Sequence, residues 1–171
     1  MTTRKTWLIA AALAGLALTA HAETRRGYNS NYAFDVDKPW VESGYALPAY
    51  PKTGDWLPFF VHRDYPNKSA VDAGTLTVGD DGVVRYVLRV ESPSGAKNDS
   101  VEGLRCQTRE LKRYAFGDTI NGRWIESLKP AWGKIELDDR LHRALHAIVC
   151  PDNWVPKSAA EAVAQLKKAA D

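Results

Sequence analysis

Val84, Tyr86, Leu88 and Val90 occupy every second position of a stretch whose other positions carry Arg85, Arg89 and Glu91 together with Val83 and Val87. No other feature constrains the chain as much. Side chains of a strand point alternately to opposite faces, so this stretch reads as an antiparallel strand with one face buried. Gly79-Asp80-Asp81-Gly82 precedes it and is rich in residues that tolerate turn geometry. On the far side of that turn, Leu76 and Val78 share one strand face, with Thr75 and Thr77 on the other. Ser92 to Asp99 holds Pro, Gly, Asn and Ser and reads as a loop. A long third strand is expected from Val101 to Phe116.

The period of two also sorts the charges. Leu104, Cys106, Tyr114 and Phe116 fall on the even positions of the third strand, and Arg105, Gln107, Arg109 and Arg113 on the odd ones. If the apolar faces of the two long strands meet one core, the opposite face carries Arg85, Arg89, Arg105, Arg109 and Arg113. A face with so many guanidinium groups is expected to lie in solvent. Such a row suits bidentate recognition of carboxylate or phosphate. The plainer alternative is a solvated strand face with cross-strand partners such as Glu91, which also discourages edge pairing.

The pieces Asp81-Gly82-Val83-Val84-Arg85-Tyr86, Ser94-Gly95-Ala96, Glu102-Gly103-Leu104-Arg105-Cys106 and Tyr114-Ala115-Phe116-Gly117 form a recognisable series. With Trp40-Val41-Glu42, Leu47-Pro48-Ala49-Tyr50-Pro51 and Cys150-Pro151, they resemble the cryptic neisserial protein-like family, small exported proteins of Gram-negative bacteria. The resemblance spans about Trp40 to Pro151. It carries over no activity, cofactor or catalytic residue.

The N-terminus agrees with export. Arg4 and Lys5 precede an apolar run from Trp7 to Ala20, and Ala20-His21-Ala22 offers small residues where a signal peptidase reads. Residues 1–22 are therefore expected to be a secretory signal peptide cleaved after Ala22, which places the protein in the periplasm. The run is shorter than the roughly 20 residues that span a bilayer, and no later segment is apolar enough to do so. Without Arg4 and Lys5, the 23 basic side chains fall to 21, matching the 21 acidic ones. Net charge thus gives no argument for nucleic acid, and export removes it as an expected partner.

Cys106 and Cys150 are the only two cysteines. In an oxidising compartment they are expected to pair, stapling the helix that ends at Cys150 to the third strand. A redox-active pair would need closer spacing, such as Cys-x-x-Cys; free thiols are the remaining reading.

Along the mature chain, 23–38 is expected to be a mobile arm, 39–157 the main domain and 158–171 a C-terminal helix. Trp40, Tyr45, Leu47, Tyr50 and Trp56 are expected to lie extended across the core edge. They fill core on the structural reading and form a platform for a sugar or peptide on the functional one. Leu57 to His62 reads as a strand, and Arg63 to Asp72 is polar and turn-like. Asn121-Gly122 leads into a strand from Arg123 to Leu128, with Trp124 and Trp132 capping the core. Leu137 to Val149 shows helical spacing, with Leu137, Leu141, Ala144, Leu145 and Ile148 on one face. Ser158 and Glu161 have capping-box spacing, and the thin apolar stripe behind them implies weak docking or fraying.

Two histidine constellations bear on catalysis. Asp138, His142 and His146 follow i, i+4, i+8 on one helix edge and could donate to zinc, without an evident fourth ligand. His62 beside Arg63 and Asp64 could serve as a base, although such a pair is commonly a surface ion pair. Ser94-Gly95-Ala96-Lys97 and Lys52-Thr53-Gly54 match penicillin-binding motifs only in reversed order, in a chain too short for that site. There is no Gly-x-Ser-x-Gly, phosphate loop or dinucleotide fingerprint.

The expected fold is α+β: a single antiparallel sheet of about five strands, with one main helix on one face and a short C-terminal helix. The expected role is that of an exported envelope module that binds rather than catalyses, using the arginine face on anionic envelope components, with no cofactor. A small metal-dependent enzyme or hydrolase using His142/His146 or His62 is the alternative. A third possibility is a partner of an envelope protein, docking through the N-terminal arm.

Overall fold

In the computed structural model, residues 39–170 are described. The signal peptide and arm expected over 1–38 lie outside them. In chain order the elements are β1 (Trp56–Phe59), β2 (Lys68–Asp72), β3 (Thr77–Val78), β4 (Val83–Glu91), β5 (Lys97–Arg105), β6 (Glu110–Asp118), β7 (Arg123–Glu126), β8 (Gly133–Lys134), α1 (Arg140–Val149) and α2 (Ala159–Ala170). A short 3-10 turn, Pro151–Asn153, joins the helices.

The strands make one antiparallel sheet in the order β1-β2-β4-β5-β6-β7, with β3 added beside β4 and β8 beside β6. The α+β class is as expected, but the sheet has eight strands rather than about five. One addition is β2, which sits in the stretch expected to be turn-like: Ser69, Val71 and Asp72 are buried there, between β1 and β4. Another arises because the long third strand is two. Cys106 to Arg109 turns the chain back, and β5 pairs with β6 from Arg105↔Glu110 to Ser100↔Phe116.

Both faces of the sheet are covered. Tyr86, Leu88 and Leu104 meet Leu145 and Val149 of α1 and Ala162 and Leu166 of α2 in the larger core. Ala162 and Leu166 are fully buried, so α2 is docked rather than frayed. Helix α1 begins later than its apolar spacing suggested, because Asp139 caps it by accepting from the His142 backbone N–H. Leu137 is thereby left outside the helix and 84% exposed.

On the other face, Val87, Val101 and Ala115 are covered by Tyr45, Leu47, Trp56, Tyr114 and Trp124. The aromatic segment therefore lies over a whole sheet face, not only along the core edge. Trp124 Nε1 donates to the Pro48 carbonyl at 2.8 Å and Trp132 Nε1 to Glu42 at 3.1 Å, fixing this layer.

Gly103 shows how closely the layer approaches. A Cβ there would sit 2.6 Å from the Tyr114 hydroxyl and 3.1 Å from the Trp132 ring. That hydroxyl is held between Glu42, to which it donates at 2.6 Å, and Arg85 Nε, from which it accepts at 3.3 Å. Gly103→Ala is expected to cost about 1–3 kcal/mol by overpacking. Urea unfolding checks this; a change under about 0.5 kcal/mol would mean that Tyr114 moves aside freely.

Candidate functional site

The arginine row is not a solvent face. Arg85 is 3% exposed and holds Asp81 Oδ2 at 2.6 Å, with Glu42 at 3.6 Å and the Tyr45 ring at 5.2 Å. Burial raises the Asp81 carboxyl, but Arg85 and the backbone N–H groups of Ser43 and Val83 outweigh it and hold the carboxyl below its ordinary range. Arg89 makes a two-point bridge to Asp99, at 2.7 and 2.8 Å, and stacks 3.9 Å from the Trp56 ring centre. Arg105 bonds Glu110 at 2.5 Å and stacks 3.7 Å from the Trp40 ring centre. These guanidinium groups are tolerated under an aromatic layer because each has a carboxylate and a ring. The rings of Trp40 and Trp56 are correspondingly occupied, which argues against their use as a ligand platform.

The other two arginines leave the row for identifiable reasons. The four-residue turn pairs Arg105 with Glu110, an odd position with an even one, so β6 enters with its faces exchanged; the register shift between Val101 and Glu102, opposite Tyr114, restores the expected alternation only from Ala115 onward. Arg113 consequently joins the helix side, where its Nε meets Glu102 at 3.2 Å. Arg109 lies in the turn between β5 and β6, with φ +52°.

The helix histidines are buried. His142 Nδ1 lies 2.7 and 2.8 Å from the Asp139 carboxylate oxygens, and Nε2 lies 3.0 Å from Glu102. Glu102 also accepts from Ser100 and from the Tyr86 hydroxyl, at 2.9 and 3.3 Å. A neutral imidazole could donate to only one of the two carboxylates. Burial pulls the His142 pKa down, but Asp139 and Glu102 overcome it and raise the pKa to about 9. The same contacts hold Glu102 below the ordinary glutamate value despite its burial.

Asp138, the carboxylate expected beside these histidines, is exposed, and its neighbour Asp139 takes its place. His146 turns Nε2 to the Cys106 carbonyl at 3.0 Å. Among the described residues no group of three His, Cys, Asp or Glu side chains could hold a metal, so Asp138, His142 and His146 do not form the expected set. His62 is half-exposed, and its Nδ1 accepts from the Asp64 backbone N–H at 3.1 Å.

A groove of about 690 Å³ runs beside α1, lined by Arg109, Arg143, Asp152 and Asn153. Ile135, Leu137 and Ala147 supply its apolar wall. Arg109, Asp152 and Asn153 are the only non-glycine residues with positive φ among those described, and all three line this groove. Left-handed backbone at non-glycine residues concentrates at functional sites. Arg109 Nε donates to Asn153 Oδ1 at 2.8 Å, and Arg143 Nη1 to the Leu137 carbonyl at 2.9 Å. Both acceptors are neutral. Among the described residues, neither arginine has a carboxylate within 4.0 Å. Asp152 is the only acidic side chain in the lining.

Cys106 and Cys150 lie at disulfide distance, Cα–Cα 5.3 Å, as expected. They tie the turn bearing Arg109 to the turn bearing Asn153. Sequence reasoning named Arg109 for a sheet face, and it did not single out Arg143, Asp152 or Asn153 as site residues. The available signal was Asp152-Asn153 directly after Pro151, since these residue types tolerate left-handed backbone. A second groove of about 450 Å³ holds Arg113 and Lys134, but these are already matched by Glu102 and Glu110.

The sequence model of the CNP1-like family matches residues 35–167. The chain is 28% identical over 142 residues to "Cryptic neisserial protein 1" of Neisseria gonorrhoeae (strain ATCC 700825 / FA 1090), an alignment covering 72% of this chain and 70% of that protein. No solved structure matches.

Proposed function

The chain belongs to the CNP1-like family, and from that premise we propose that it is an exported envelope protein that binds an anionic group in the groove beside α1. One observation carries the binding role: Arg109 and Arg143 line a single groove and donate only to neutral oxygens among the described residues. Every other arginine of the expected row is matched by a carboxylate. The reading moves the anion site from the sheet face to the groove. Export is supported by the leader-like N-terminus and the paired cysteines. No helix among the described residues is long and apolar enough to cross a membrane.

The test is calorimetric titration of the mature protein with inorganic phosphate at low and high salt. Arg109→Asn is the suitable variant, because asparagine tolerates the left-handed backbone at that position; Arg143→Gln is its partner. Loss of charge-assisted bonds is expected to weaken binding by about tenfold or more in the double variant. Phosphate binding that is absent, or unchanged in the double variant, overturns the reading.

A further inference from the structure

Resting on that reading, we propose that the ligand is an amphiphile with a single anionic head: one carboxylate or phosphate monoester carried on an apolar chain or ring. The groove is two-sided in chemistry. Arg109 and Arg143 offer guanidinium donors, and two cations against the single carboxylate of Asp152 leave the lining net positive. That balance suits a head of low charge. Between and beside these groups stand Ile135, Leu137 and Ala147.

Leu137 is 84% exposed although it lines the groove, and Trp154, the residue after Asn153, is 72% exposed. Leu137 is exposed because the Asp139 cap starts α1 two residues later, so its position is fixed by backbone geometry rather than by packing. A bare inorganic anion would leave this apolar wall in water. A ligand with a hydrocarbon portion next to its charge would cover it.

Carboxylate and phosphate monoester share the required chemistry, and the experiment separates them. The mature protein is titrated by calorimetry with acetate, octanoate, inorganic phosphate and octyl phosphate, and with octyl glucoside as a neutral amphiphile, all below micelle-forming concentrations. Each fully buried methylene contributes about fourfold in affinity, so even partial coverage predicts that the octyl compounds bind at least about tenfold tighter than their short counterparts. Whichever of the two octyl anions binds tighter identifies the head group. Leu137→Ser, at an exposed position outside any helix, is expected to erase the gain of the octyl compounds over their short counterparts. Asp152→Asn is expected to tighten binding of both octyl anions.

Equal affinity of long and short anions overturns the proposal. So does a gain retained in Leu137→Ser, or octyl glucoside binding as tightly as octyl phosphate. If phosphate binds and the chain adds nothing, only the amphiphile assignment falls. Should no anion bind at all, the anion-binding reading falls with it.

Discussion

His142→Ala is expected to lower the stability of the protein by about 3 kcal/mol, because it strips a buried carboxylate of its main counter-charge. Glu102 is 1% exposed and keeps only Ser100, Tyr86 and Arg113 once the imidazole is gone. The variant should also lose a pH dependence that the natural protein has. His142 titrates at about 9 when folded, above its ordinary 6.5. Its stabilisation is therefore fully present below pH 6.5 and disappears as pH rises towards 9. On the order of 3 kcal/mol is at stake over that window, at about 1.4 kcal/mol per pH unit.

Glu102 behaves in the opposite sense. Burial opposes its ionisation, yet His142 and Arg113 hold its pKa below the ordinary 4.5. Its contribution is present above 4.5 and is lost as pH falls through the folded value. Urea unfolding at pH 6 and pH 9.5 checks the alkaline limb. The natural protein should lose stability between them and His142→Ala should not. Parallel losses in both proteins would show that the Glu102–His142–Asp139 cluster does not set the alkaline limb.

Replacing both cysteines, as Cys106→Ala with Cys150→Ala, is expected to cost roughly 4 kcal/mol, since the bridge closes a loop of sequence separation 44. Both side chains are buried, at 0% and 1% exposure, so lost packing adds to the entropic effect. The loss should reach the groove as well. The turn after Cys106 carries Arg109 and the turn after Cys150 carries Asn153, and the 2.8 Å bond between them depends on the two turns staying together. Phosphate affinity should fall in the double variant under conditions where circular dichroism still reports a folded protein. Reductant should lower the melting temperature of the natural protein and leave that of the variant unchanged. Retained phosphate affinity in a folded double variant would separate the bridge from the groove.

The alternation of Val84, Tyr86, Leu88 and Val90 announced β4 and its helix-side face because strand periodicity is a local property. Turn chemistry at Gly79 to Gly82 and the helical spacing near Leu145 were legible for the same reason. The pairing of Cys106 with Cys150 needed only their number and the leader-like N-terminus that predicts an oxidising compartment. The arginine row failed at two places where one residue changes everything downstream. A turn at Cys106 to Arg109 splits the expected long strand, leaves Arg109 in the turn beside the groove and exchanges the faces of β6, which sends Arg113 to the helix side; the shift at Tyr114 restores the alternation only after it.

Local pattern in the sequence determined the fold class, the central hairpin, the helix stripe and the cysteine pair, since each follows from spacing or counting. Tertiary structure alone decided what lies over the second sheet face. Trp40, Trp56 and Tyr45 come to rest on Arg105, Arg89 and Arg85, and carboxylates from the adjoining turn and the neighbouring strands make their burial tolerable. It likewise chose Asp139 over Asp138 for His142 and brought Glu102 from forty residues away to the other ring nitrogen. The rings and Glu102 reach their partners only through long-range packing, and no periodicity of the chain encodes which unpaired guanidiniums will be left beside the groove.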